Sequence, residues 1–544
     1  MDIKIVEGAF SPTADGKVAE AANGMVTTAS SYATDAGLEM LKQGGNAVDA
    51  AAAAAFALGV CESQASGLGG QTMMLIHNEG KVIAVDGSSR APSLAHVHAI
   101  YKKDRSRGYR AATVPSTPAV LRYVQQHYGT LPWAQILEPA IHLAQAGCEI
   151  TPLQQRLQQR ELEKFLEIDS LSGATYFLKD NKPYESGDIF RQPELAALLK
   201  RLSEKGVEEF YKGNPAKIID ADMRRHGGLI RYDDLALIPW PIIRKPLKGR
   251  FRHVGVHTMP LPAAGRTLLF TQLMLNHLPP DTFHNMESQP RMMQLLAEVL
   301  RKALLERSDR PFDPNFCPQL VRKDMLRRKY ARQAIRKILK NVDKTILPFM
   351  VTLDELSGET THLSVMDGKG MAVSLTQSIE RAYGSKAAAE GLGFLYNNYL
   401  MDFEYTDPEH PFYLRPNYVP WATVAPTLLF LEDDIWMALG SPGSERIFST
   451  LNQVMLHMID RNFSLDKAIE APRMHCSLGG RISLEAERFS PDLIKFLEEK
   501  GYRMDLREPY SFYLGCVQAV LKRQSGPGFQ GVADLRRDGT ARGL

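Results

Sequence analysis

The spacing of apolar positions changes along the chain, and each change marks an element. Residues 34–42 and 46–60 read as two alanine-rich helices joined by Gly44-Gly45. Gly ends the first and Asn46 caps the second, and the small side chains suit close packing on a sheet. Residues 73–76 and 81–85 predict a hairpin across Asn78-Glu79-Gly80. Helical periodicity dominates from Ala119 to about Arg201 and from Gln289 to Leu339. Between them a strand at 252–259 ends in the turn Pro260-Leu261-Pro262, and residues up to about Asn23 read as a loose arm.

From Thr360 onward the pattern turns to strands. Residues 360–366 and 371–378 flank Asp367-Gly368-Lys369-Gly370, a hairpin with a Gly-rich turn. Residues 427–431 and 435–439 flank Glu432-Asp433-Asp434, and 517–521 and 530–533 flank 525–528. Helices return at 447–461 and 491–500. Hairpins mixed with helix pairs predict an α+β fold of antiparallel sheets covered by helices.

Composition narrows the function. A chain of 544 residues can bury a large core, and its net charge is only +3. Neither nucleic acid nor a membrane is an expected partner. Arg322, Lys323, Arg327, Arg328, Lys329, Arg332, Arg336, Lys337 and Lys340 form a basic run, but their spacing fits one exposed face of a helix. The first residues, Met1-Asp2-Ile3-Lys4-Ile5-Val6-Glu7, lack a secretory signal, and no stretch is long enough to span a bilayer. Five cysteines without metal-like spacing point to free thiols and a cytoplasmic location. Neither a metal nor a cofactor is called for.

The chemistry centres on Thr360-Thr361-His362. A Thr hydroxyl is a poor nucleophile until a base takes its proton. A free α-amine on the same residue, with a pKa of about 8, can be that base. Cutting the chain between Glu359 and Thr360 would create it. By themselves the three residues also fit an ordinary strand.

Further motifs select between these readings. Thr360-Thr361-His362-Leu363-Ser364-Val365, residues 370–378, Asn397-Asn398 and Met401-Asp402-Phe403 resemble the start of the small subunit of γ-glutamyltranspeptidases, which are self-processing N-terminal-nucleophile (Ntn) hydrolases. Residues 41–51, Gly67-Leu68-Gly69-Gly70, Pro426-Thr427, Gly440-Ser441-Pro442-Gly443, Ala471-Pro472-Arg473 and residues 534–539 extend the resemblance in order, from about Gly24 to the C-terminus. It implies an αββα sandwich of two stacked antiparallel sheets. It also implies a large portion, 1–359, and a small portion, 360–544, which stay associated after self-cleavage. Thr360 would be nucleophile and, through its amine, base. Thr361 and Ser378 match positions that hydrogen-bond around it, and Gly443 and Ser444 match the two oxyanion glycines. His362 reads as a structural strand residue.

The resemblance also locates a substrate pocket that departs from the family. The family's carboxylate-binding Arg falls on Ser88, with Arg90 two residues later. The family's paired serines become Ala422 and Thr423, an Asn becomes Glu380, and a Gln or Glu becomes Tyr399. Only the amine-binding Asp, Asp402, is kept. Three functions are therefore open. One is a γ-glutamyltranspeptidase-like amidohydrolase or acyltransferase, cleaving a γ-glutamyl amide such as glutathione and passing the acyl group to water or an amine. The second is an acylase of the same fold acting on a non-glutamyl amide. The third is a non-processing relative that serves as a binding protein.

Overall fold

A computed structural model describes residues 16–308, 315–316, 324–344, 358–524 and 526–544. Its strands are β1 (Val18–Ala21), β2 (Gly24–Thr28), β3 (Gln71–Asn78), β4 (Lys81–Gly87), β5 (Cys148–Glu149), β6 (Ile189–Phe190), β7 (Ile242–Arg244), β8 (Leu247–Phe251), β9 (Val254–Thr258), β10 (Thr361–Asp367) and β11 (Ala372–Ser378). They continue with β12 (Thr427–Leu431), β13 (Asp434–Gly440), β14 (Met474–Cys476), β15 (Arg481–Glu485), β16 (Arg503–Arg507), β17 (Gln518–Lys522), β18 (Phe529–Ala533) and β19 (Thr540–Gly543).

Two seven-stranded sheets stack at the centre. One runs β19-β2-β10-β11-β3-β4-β7 and the other β1-β18-β17-β13-β12-β9-β8. Every pairing in both is antiparallel. Helices α1 (Ser31–Lys42) and α2 (Ala47–Cys61) cover the first sheet. Asn46 caps α2 by accepting from the backbone N–H groups of Val48 and Asp49, as predicted. Every residue of α2 except Gly59 is buried, because alanines let the helix lie close between the sheet and the outer helices. Helices Gly265–Leu275, Pro290–Ser308, Arg328–Asn341 and Ile447–Ile459 bury their apolar faces with the second sheet in one continuous core. The layers are therefore αββα.

The inter-sheet space holds polar side chains beside apolar ones. His362 lies there, its Nδ1 2.8 Å from Thr376 Oγ1 and its Nε2 3.1 Å from Ser364 Oγ. Ser364 Oγ in turn donates to the Gln518 carbonyl on the facing sheet at 3.0 Å. Gly440 makes room for the ring, since a Cβ there would stand 2.2 Å from His362 Cε1.

Strands from before and after Thr360 share both sheets. β10 and β11 lie between β2 and β3, and β19 pairs with β2. In the other sheet, β18 meets β1 and β12 meets β9.

The structure departs from the sequence reading in four places. Val18–Ala21, placed in a loose arm, forms β1 and pairs with β18; residues 1–15 lie outside the described residues. The long helical stretch from Ala119 is broken into Thr117–Tyr128, Trp133–Ala146, Pro152–Leu166, Ser172–Phe177 and Pro193–Lys205, with Gly147 and the helix-initiating Pro152 and Pro193 setting breaks. β7 and β8 were not expected. Nor was the small sheet β14-β15-β16, whose β15–β16 pair is parallel and whose last strand, Arg-Met-Asp-Leu-Arg, is too charged to read as sheet. The basic helix Arg328–Asn341 does bury one face, through Ala331, Ala334, Ile335 and Ile338. Arg322 and Lys323 of that run, and Cys317, lie outside the described residues. The other four cysteines are buried and free.

Candidate active site

Thr360 immediately precedes β10 and is 3% exposed. Its Oγ1 donates to Ser378 Oγ at 3.2 Å, and Ser378 Oγ donates to the Glu359 carbonyl at 2.9 Å. The Glu380 N–H donates to the same Ser378 oxygen at 2.9 Å, and the Tyr399 hydroxyl lies within bonding reach of Ser378 and Gln71. One serine thus joins the Thr360 hydroxyl to the carbonyl of the preceding peptide bond. Ser378 can do this because β10 and β11 pair with Thr361 opposite Gln377.

The same peptide is held from the C-terminal end of the chain. Arg537 donates to the Thr360 carbonyl at 3.1 Å, to Glu62 at 2.7 Å and to Glu359 at 2.6 Å. Burial raises the Glu62 carboxyl, and Arg537 opposes that rise. The Thr361 hydroxyl lies beside Glu62 without closing a well-formed bond.

The Gly443-Ser444 turn stands against this segment. A Cβ on Gly358 would lie 2.8 Å from Ser444 Cβ. Ser444 holds φ +52°, the left-handed conformation that glycine adopts more readily, so its backbone takes the turn despite the side chain. The segment 351–357 before Gly358 lies outside the described residues.

A cleft of about 920 Å³ opens beside this turn. Ser444, Glu380, Asp402 and Thr423 line it, together with Arg381 and Trp421. Its size suits a small organic substrate.

The sequence profile of the gamma-glutamyltranspeptidase family matches residues 33–544. The chain belongs to the γ-glutamyltranspeptidase family. It is an enzyme, an amidohydrolase related to the γ-glutamyltranspeptidases. It is 31% identical to a glutathione hydrolase proenzyme of Escherichia coli, over 95% of this chain and 91% of that one. It is 30% identical to the acylase ACY 1 proenzyme of Pseudomonas sp. strain SE83, over 97% of this chain and 95% of the other. Its fold superposes on a cephalosporin acylase from Bacillus halodurans with a TM-score of 0.89 at 26% identity, covering 100% and 99% of the two chains. The αββα architecture is therefore the Ntn-hydrolase fold.

The family's substrate positions separate in space. Asp402, Glu380 and Thr423 reach the cleft. Tyr399 is buried behind Ser378. Ala422 packs into the core and donates its N–H to the Pro262 carbonyl at 3.3 Å. Arg90 is placed elsewhere: its guanidinium donates to the Asp234 carbonyl at 2.7 Å, and it is not among the described residues lining the cleft.

The structure adds a cation that the sequence reading missed. Arg307, at the end of the helix Pro290–Ser308, stacks on Trp421 with its guanidinium carbon 3.8 Å from the ring centre. Its Nη1 and Nη2 are buried and make no hydrogen bond. Burial pulls Arg307 down to about 10 against the attraction of Glu445, Asp402 and Glu380. Burial, then Glu380, pushes the Asp402 carboxyl well up, and burial raises Glu380 too. Arg307 is not among the described residues lining the cleft, and it is far from Glu380 and Asp402 in sequence, so only the fold brings it within electrostatic reach of them. Arg537 sits within a motif that was recognised, but nothing in its spacing revealed that it grips Glu359.

Proposed function

We propose that Thr360 cuts its own precursor at the Glu359-Thr360 bond and then serves as the acyl-carrying nucleophile of an amidohydrolase. The observation that carries this reading is the Ser378 hydroxyl, which bridges the Thr360 hydroxyl and the Glu359 carbonyl. Thr360 Oγ1 attacks the Glu359 carbonyl carbon while its proton leaves towards Ser378. The C–N bond breaks, the Thr360 nitrogen takes a proton, and an ester joins Glu359 to Thr360. Water hydrolyses the ester, giving a Glu359 carboxylate and a free Thr360 hydroxyl and α-amine.

In the mature enzyme that amine takes the hydroxyl proton as Thr360 attacks a substrate amide. The leaving amine departs protonated, and water or an acceptor amine then takes the acyl group. The turn at Gly443-Ser444 offers backbone N–H groups to the oxyanion; one such donor is typically worth on the order of a hundredfold in rate. Portions 1–359 and 360–544 would remain together through their shared sheets.

The donor is an amide carrying an amine that Asp402 recognises. A γ-glutamyl amide such as glutathione fits the relatives named glutathione hydrolases. A non-glutamyl amide fits the acylase relatives, and one observation favours it: Arg90 is engaged at Asp234, and Ser88, Ala422, Thr423, Glu380 and Tyr399 replace the usual polar set. The cytoplasm remains the proposed location.

Purified protein should run as two bands on a denaturing gel. The smaller should begin at Thr360, and Thr360→Ala should remain a single folded chain by circular dichroism. A different N-terminus, or an uncut wild type, would sink the mechanism. A panel of γ-glutamyl and other acyl anilides, read as kcat/KM, separates the two donor classes.

A further inference from the structure

We propose that Asp222, His226 and Glu390 bind a divalent transition-metal ion of the zinc class, and that the ion ties residues on opposite sides of Thr360 together. Asp222 lies on the helix Asn214–Arg225, and His226 is its C-terminal cap. Glu390 belongs to the turn that follows β11. The candidate ligand atoms of all three lie within 4.8 Å of one another.

The two separations from His226 are close to those around a tetrahedral ion. Ligands about 2.1 Å from a tetrahedral zinc stand about 3.4 Å apart. His226 Nε2 is 3.6 Å from Asp222 Oδ1 and 3.2 Å from Glu390 Oε1, the latter a hydrogen bond that the ion would replace. Asp222 is only 3% exposed, and its Oδ1 has no hydrogen-bond partner. Leaving a buried carboxylate oxygen unsatisfied is costly, and a cation at the shared point would remove that cost.

Each ligand is also held from behind, as metal ligands are. The other Asp222 oxygen accepts from the Tyr396 hydroxyl at 2.9 Å and from the Glu390 N–H at 3.4 Å. Arg225 takes the second Glu390 oxygen at 2.7 Å. The His226 ring stacks on Tyr109, with centroids 4.5 Å apart and planes 18° from parallel. Two carboxylates and one neutral imidazole match the charge and ligand preferences of zinc. His226 and Glu390 are partly exposed, which leaves a side open for entry and for a water ligand.

Untagged full-length protein, stripped with chelator and dialysed, should be titrated with zinc sulfate by calorimetry and followed by thermal melting. One saturable site per chain is expected, with a zinc-dependent rise in Tm. His226→Ala should abolish both, and Glu390→Gln should weaken binding at least about tenfold. Absence of a saturable site in wild type overturns the proposal. So does equal binding by Glu390→Gln, which sits on a partly exposed turn and serves alone if His226→Ala does not fold. None of these readouts depends on Thr360 chemistry.

Discussion

Lowering the pH from 7 to 5 should weaken the fold through three histidines that the interior keeps neutral. Burial holds His362 down to about 3 against an ordinary 6.5. Burial does the same to His457, helped by Arg461 and Arg473, and to His475, helped by Arg446, each to about 3. A histidine whose folded pKa is depressed takes its proton first in the unfolded chain. Stability therefore falls as pH drops below 6.5 and keeps falling until about 3. Between pH 7 and 5 each contributes a loss of about 2 kcal/mol, so the three together contribute about 6 kcal/mol. Unfolding entropy of roughly 2 cal/mol/K per residue turns this into a Tm drop of about 5 °C for a chain this long. His362→Gln should remove about one third of that drop. Melting curves at pH 7, 6 and 5, in a Thr360→Ala background so that every sample is one chain, give the comparison. Titration of exposed carboxylates cancels between the two proteins. Equal pH slopes would refute the reasoning, because His362 would then take up its proton in the native state. It would also become an accessible base two residues from Thr360, contrary to its sealed position between the sheets.

Three further outcomes test the site. Arg537→Leu should run as one uncut band, and removing the cation from buried Glu62 and Glu359 should cost about 3–5 kcal/mol in melting experiments; full cutting would show that Arg537 does not hold the scissile peptide. Arg90→Ala should leave KM for a γ-glutamyl donor within about twofold, because its guanidinium is held at the Asp234 carbonyl away from the cleft; a roughly tenfold or larger rise in steady-state kinetics would return the clamp to Arg90. Ser444→Gly should keep the rate and raise stability by about 1 kcal/mol, because the left-handed backbone is easier for glycine; a large fall in kcat would mean that the Ser444 side chain, not its backbone, matters.

Much of this was legible in the residues. The hairpin of β10 and β11, the capped α2 and the β12–β13 pair announce themselves by alternation, Gly turns and Asn46, which are local signals. Thr360, Ser378 and Asp402 became candidates through the family resemblance, since Thr360 and Ser378 by themselves also fit ordinary strand residues. What stayed hidden depends on distance in the chain. Arg307 comes within electrostatic reach of Asp402 only because a helix packs over the second sheet, and Arg537 reaches Glu359 only through β19 and its neighbours. Arg90 misled because an extended strand could aim it at the pocket, while the fold gives it the Asp234 carbonyl instead. β16 was missed because its charges look like a loop until a parallel neighbour supplies its bonds.

The place of Arg537, 177 positions after Thr360, bears on how the protein is made. A ribosome delivers Thr360 long before it delivers Arg537, β18 and β19. Until those last residues emerge, the grip on Glu359 and Thr360 is missing and β2 lacks its outer neighbour. If Thr360 cuts its own chain as proposed, the cut would wait until Arg537 has emerged and docked, and a product truncated before Arg537 would stay whole. Once the bond is broken, the newly made molecule cannot repeat the assembly: strands of the two pieces are threaded between one another, and denatured pieces would have to find each other by diffusion. A cut of this kind would be made once, and the working life of the enzyme would then be set by how slowly it unfolds.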